Sequence, residues 1–256
     1  MIKLIKTLGL ALVFTFVLVS RQSTPALANI RHFSRGKIGS IRTRIIQATE
    51  VLDDRFTESI ARNNYNEAQI KSFILQKVKS SLPEHYRMRS LKVSETIITQ
   101  ANLYNMDPMF LVALIENESK FDPKALGQFG EQGLMQIKPT TAKWIAHKYH
   151  LAWGKQYSLY NPVHNLKFGV AYLDYLRKKY HGSGQFYVEA YNMGPQRMNG
   201  VMKRHEVRKT YQKQVQAHYI ALYEEIERSA SQLLEQNDRF PRLARLRDKI
   251  KQLLWA

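Results

Sequence analysis

Apolar residues recur at helical spacing along most of the chain and nowhere alternate with polar ones for more than a few residues. The pattern predicts a mainly α protein with at most minor strands. It places helices at 41–52 and 67–80, the second closed by Leu82-Pro83. Further helices follow at 94–104, 108–121, 140–150, 162–180, 186–192, 206–234 and 242–254. In the helix over 108–121, Leu111, Leu114 and Ile115 share a face, and Glu118 takes the next position on it. Glu116 sits about 200° around the helix from Glu118, with Lys120 four residues on, the spacing of a solvated ion pair. A carboxyl on an apolar face loses hydration of its charged form. Its pKa then rises toward the range of a general acid near neutral pH. The alternative is a helix that simply emerges into water there, since Asp122-Pro123 ends it within about a turn.

Composition adds location more than mechanism. Residues 1–28 read as a secretory signal, with Lys3 and Lys6 ahead of an apolar run from Leu8 to Ser20 and Ala26-Leu27-Ala28 before the expected cut. That run is short for a membrane span, which needs about 20 apolar residues, although an uncleaved anchor is the alternative. The expectation is a mature protein that is periplasmic or secreted. The chain of 256 residues carries a formal charge of +18; without Lys3, Lys6 and Arg21 the balance is 36 basic against 21 acidic side chains, or +15. On an exported protein this charge points to an anionic envelope polymer or membrane surface rather than nucleic acid. Cysteine is absent, which excludes disulfides, thiol nucleophiles and thiolate zinc sites.

The organisation reads as a helical N-terminal extension over 29–92, a domain over 93–200 in which helices alternate with Gly-containing loops, and a basic helical C-terminal extension over 201–256. His147 and His150 lie three apart, but no HExxH and no carboxylate cluster accompanies them, so no metal or other cofactor is expected. Ser119 follows Glu118 without a G-x-S-x-G elbow and reads as a helix-end or substrate-contact residue. In Gly130-Glu131-Gln132-Gly133-Leu134-Met135-Gln136, two glycines let backbone approach closely, Leu134 and Met135 offer an apolar wall, and Gln136 offers an amide to a sugar. Tyr191 and Asn192 stand beside the helix stop Gly194-Pro195.

Four ordered blocks carry a resemblance to the soluble lytic transglycosylase family, the lysozyme-like SLT domain. They are Glu118-Ser119 with Phe121-Asp122-Pro123; Gly133-Leu134-Met135-Gln136 with Pro139 and Thr141-Ala142; Asn161-Pro162 with Asn165, Gly169 and Tyr172-Leu173; and Ala190-Tyr191-Asn192 with Gly194-Pro195. The resemblance implies an α+β lysozyme-like fold. It also implies cleavage of the β-1,4 bond between N-acetylmuramic acid and N-acetylglucosamine in peptidoglycan, leaving 1,6-anhydro ends. Glu118 is then the single acid and base, oriented by Tyr191. Gln136 and Asn192 hold the sugar, and Ser119, Met135 and Glu131 complete the substrate-binding set. Trp144, Trp153 and Tyr157 are candidates to stack on sugar faces, with core packing the expectation for Trp144. The chain departs from the family pattern at Gly127, where Ser is common, and at Glu131, where Ala is common. The rival readings are a hydrolytic muramidase using Glu131 or Asp122 as second carboxylate and a noncatalytic glycan-binding protein of the envelope.

Overall fold

The helix that carries Glu118 runs through the middle of the molecule and is apolar on every side. Every residue from Pro108 to Ile115 is buried, so the face expected from Leu111, Leu114 and Ile115 is the whole surface of the first two turns. The computed structural model describes residues 41–56, 61 and 65–238, with 54 and 230–238 as backbone alone. The expected signal over 1–28 and the helix over 242–254 lie outside the described residues. In chain order the helices are α1 (Ile41–Leu52), α2 (Glu67–Ser81), α3 (Ser90–Leu103), α4 (Pro108–Ser119), α5 (Pro139–Lys148), α6 (Pro162–Lys179), α7 (Gly184–Met193), α8 (Pro195–Lys203) and α9 (Thr210–Asp238). The β structure among the described residues amounts to two isolated antiparallel bridges, Leu126 with Gln132 and Gln132 with Ile137. The protein is mainly helical, as the periodicity predicts.

Local chemistry sets the boundaries. Asn66 and Gln69 form a reciprocal capping box at the start of α2. Asp107 and Asn161 cap α4 and α6, each followed by a proline at the first helical position, where a missing N–H costs nothing. Helix α4 stops at Ser119, two residues before the expected end, because Lys120 and Phe121 both adopt left-handed conformations, φ 50° and 62°. Pro195 does more than stop α7. Gly194 ends that helix at φ 83°, and Pro195 then opens α8, an element the periodicity did not reveal.

Helix α4 is enclosed by α2, α3 and α9, while α6 gathers α3, α5 and α7 around it. Helix α1 lies against α7 and α9, joined by Gln47 donating to the Tyr187 hydroxyl at 2.5 Å and by the Glu50 carboxylate gripped at 2.7 and 2.8 Å by Arg177 of α6. Helix α9 packs along α4 in the opposite direction. It buries Tyr211, Val215, Tyr219, Leu222, Tyr223 and Ile226 as one stripe, each side chain contributing about 1.5–3 kcal/mol on burial. Trp144, expected in the core, is 44% exposed on α5, where one edge of its ring meets Tyr175 of α6.

Candidate active site

Glu118 occupies the last turn of α4, where the enclosed helix reaches open space. On one side it borders a cleft of about 740 Å³, whose walls include Phe129, Glu131, Gln136, Tyr172 and Tyr191. On the other it borders a second hollow of about 550 Å³, with Glu116, Tyr211 and His218. Glu118 and Asn192 line both. Burial pushes the Glu118 carboxyl up to about 8, and the nearby negative charge of Glu131 adds to the effect. The Tyr211 hydroxyl donates to Glu118 Oε1. A donor on Oε1 leaves Oε2 as the oxygen that carries the proton.

The loop facing Glu118 is fixed from beneath. Asn165, fully buried on α6, accepts from the Met135 N–H at 2.7 Å and donates to the carbonyls of Gln132 and Leu159 at 2.6 and 2.9 Å. Gly133 makes this possible: its φ is +72°, and a Cβ there would sit 2.2 Å from the Leu159 carbonyl oxygen. Ser119 Oγ donates to the Leu134 carbonyl at 2.8 Å and ties the end of α4 to the same loop.

These bonds correct several expected roles. Ser119 is a loop tie and does not line the cleft. Met135 and Leu134 are wholly buried behind the loop rather than forming a wall of the cleft. Gln136 lines the cleft, but its amide N–H groups are used on the carbonyls of Ala125 and Gly133 at 3.2 and 2.9 Å, so the side-chain oxygen is what it can offer a ligand. Tyr191 donates to the Met135 carbonyl at 2.8 Å and presents its ring to the cleft; the hydroxyl on Glu118 belongs to Tyr211. Asn192 is exposed in the groove. Glu116 does not pair with Lys120. Its Oε2 is buried and accepts no hydrogen bond among the described residues. Asp122 accepts from the Lys124 N–H at 2.8 Å in a local turn and does not line the cleft.

Glu131 is in the cleft and is held there. Its carboxylate accepts from the Phe129 N–H at 2.9 Å and pairs with Lys138 at 3.3 Å, interactions that keep its pKa below the ordinary range despite partial burial. The two departures from the family pattern are one feature: a Cβ on Gly127 would lie 2.4 Å from Glu131 Oε2. The glutamate fills room that a serine at 127 would occupy.

The sequence profile described as the transglycosylase SLT domain matches residues 95–214. A Haemophilus influenzae protein assigned as a soluble lytic murein transglycosylase is 27% identical over 189 residues, covering 72% of this chain and 31% of that protein. Membrane-bound lytic murein transglycosylase E of Buchnera aphidicola is 30% identical over 111 residues, covering 40% of this chain and 50% of the relative. Among solved structures, an inactive mutant of the lytic transglycosylase Slt from Pseudomonas aeruginosa aligns with a TM-score of 0.48 at 17% identity, covering 75% of this chain and 38% of that one. The chain thus spans half or less of these relatives' own lengths.

The SLT domain match runs past Gly200 into α9 and takes in Tyr211. Sequence reasoning missed Tyr211, along with Phe129, Lys138 and Arg197 on the cleft, and offered Tyr172 only as part of a motif. The signal for Tyr211 was present: Tyr211, Val215, Tyr219 and Tyr223 repeat every four residues, the mark of a helix face that packs on something.

Proposed function

We propose that the protein is a peptidoglycan lytic transglycosylase, exported through the segment over 1–28 and acting on cell-wall glycan outside the cytoplasmic membrane. The observation that carries this reading is Glu118: a carboxyl driven by burial to hold its proton up to about 8, at the centre of an open groove within an SLT domain. Among the described residues no helix is long and apolar enough to cross a membrane.

In this reading Glu118 gives its proton from Oε2 to the oxygen leaving C1 of the muramic residue, and the bond from C1 to that oxygen breaks. The emptied carboxylate then takes the proton of the muramic C6 hydroxyl as its oxygen bonds to C1. The ring closes as a 1,6-anhydro sugar, no water is consumed, and Glu118 is protonated again. Tyr211 holds the carboxyl in one orientation through both transfers. Asn192 and the free oxygen of Gln136 meet the sugar, and Glu131, charged and clamped by Lys138, sustains the protonated state of Glu118 by its field.

Glu131 is also the one specific observation that favours hydrolysis, because a second carboxylate in the cleft could activate water. Mass analysis of purified peptidoglycan digested by the protein separates the two. Anhydro-ended fragments are expected, and they should vanish with Glu118→Gln. Fragments heavier by one water at each new end would replace this reading with a muramidase. Unaltered peptidoglycan would leave a binding protein.

A further inference from the structure

Helices α5 and α6 leave the cleft together. Thr141 on α5 and Tyr172 on α6 both line it. Three residues further on each helix, a step of about 4.5 Å along the axis, stand Trp144 and Tyr175. Their rings meet edge to face, with centroids 4.8 Å apart. Tyr175 stacks on Tyr172 at 6.4 Å with planes 16° apart, and Tyr172 lies 5.5 Å from Tyr191. Four rings therefore run without a break from Tyr191, in the cleft, to Trp144 on the outside. Beyond them Lys148 reaches back from the next turn of α5. Its ammonium sits 5.8 Å from the Trp144 ring centre and 5.4 Å from that of Tyr175.

Core packing does not account for this end of the row. Trp144 is 44% exposed, and its indole continues the row of rings that begins with Tyr191 and Tyr172 in the cleft. Its chemistry suits a sugar: the C–H face of a pyranose packs on an aromatic ring, and Lys148 adds a cation for a carboxylate. The strand that fills the groove at Glu118 would extend along this row.

We propose that Trp144, Tyr175 and Lys148 form a distal saccharide subsite. There a pyranose of the glycan strand lies on Trp144, and an acidic group carried by the strand meets Lys148. The inference rests on the reading of the groove as a peptidoglycan-cleaving site.

The test uses the full chain with Trp144→Ala and Trp144→Phe, assayed on long solubilised glycan strands and on a purified fragment of two disaccharide units. Trp144→Ala should raise KM for long strands about tenfold and leave kcat and KM on the short fragment unchanged, and Trp144→Phe should restore most of the loss. Equal KM for wild type and Trp144→Ala on long strands would overturn the subsite. So would an equal loss on both substrates, which would mark a general disturbance, and the thermal midpoints of the variants check that point. If the wild type cleaves neither substrate, the reading of the cleft has failed, and calorimetric binding of the same long strands still decides the subsite: tighter by about tenfold for wild type than for Trp144→Ala, or not.

Discussion

Helix α4 carries a buried acid at each end, and the two are furnished in opposite ways. Asp107, at the N-terminus, is fully buried and accepts from the Met109 N–H at 2.9 Å, the Tyr219 hydroxyl at 2.5 Å and the Tyr223 hydroxyl at 2.8 Å, with the charge of Arg44 nearby. Burial raises its pKa, and each of these neighbours works against the rise. Glu118, at the C-terminus, has one hydroxyl donor in Tyr211, and its charged neighbour Glu131 has the wrong sign to help. A single helix, α9, supplies the tyrosines to both. The difference lies in the number of donors: three partners make a buried acid an anchor although its pKa stays raised, and one leaves a buried carboxyl holding a transferable proton.

The strongest way to break this comparison is to neutralise each acid in turn. Glu118→Gln should lower turnover by about 10³-fold or more while leaving the fold intact, since general acid and base steps contribute about 10²–10⁴ each. The variant should also gain stability relative to wild type as pH rises. Glu118 titrates near 8 folded against an ordinary value of 4.5, so the native state binds the extra proton between those values and the wild type loses stability across that window. Thermal melts at pH 5 and pH 8 should therefore diverge, with the variant level with wild type at pH 5 and ahead of it at pH 8. A variant that melts lower than wild type at both values would place Glu118 with the anchors.

Asp107→Asn should do the reverse, costing about 2–3 kcal/mol in denaturant unfolding as an amide N–H group is turned on partners that donate to the acid. Turnover per folded molecule should hold. A large fall in turnover with unchanged stability would contradict the assignment. Tyr211→Phe sharpens the contrast within α9: kcat should drop about 10–100-fold with KM little altered, the worth of one hydrogen bond to a charged group. The smallest effect is expected from Glu131→Gln. Removing that negative charge lets Glu118 ionise more readily, so the alkaline limb of the kcat profile should move to lower pH; a move upward would remove Glu131 as a source of the raised pKa.

Helix positions were largely legible because apolar spacing reports burial directly, and α4 was located within two residues. Its C-terminus was not, because the two left-handed residues Lys120 and Phe121 carry no composition signal. Pro195 was read only as a stop because the helix it opens is short, and of its residues only Met198 is buried. Of the residues that line the cleft, Glu118 stood out by its place on an apolar face, Glu131 as a departure from the family pattern and Asn192 by motif. Ser119, Met135 and Gln136 stood out for a different reason: the loop they share with Gly133 and Asn165 needs those residues to close, and a motif does not separate loop closure from ligand contact. Tyr211 is 93 residues from Glu118, and such a pairing depends on α9 doubling back along α4, which local periodicity cannot report.

The claim that burial keeps Glu118 protonated where Asp107 is held by donors is tested most directly by a carboxyl carbon NMR titration of Glu118 in the full chain. The account predicts a midpoint near 8 that falls in Glu131→Gln. A midpoint in the ordinary glutamate range, about 4–5, would contradict it and remove Glu118 as the proton donor near neutral pH.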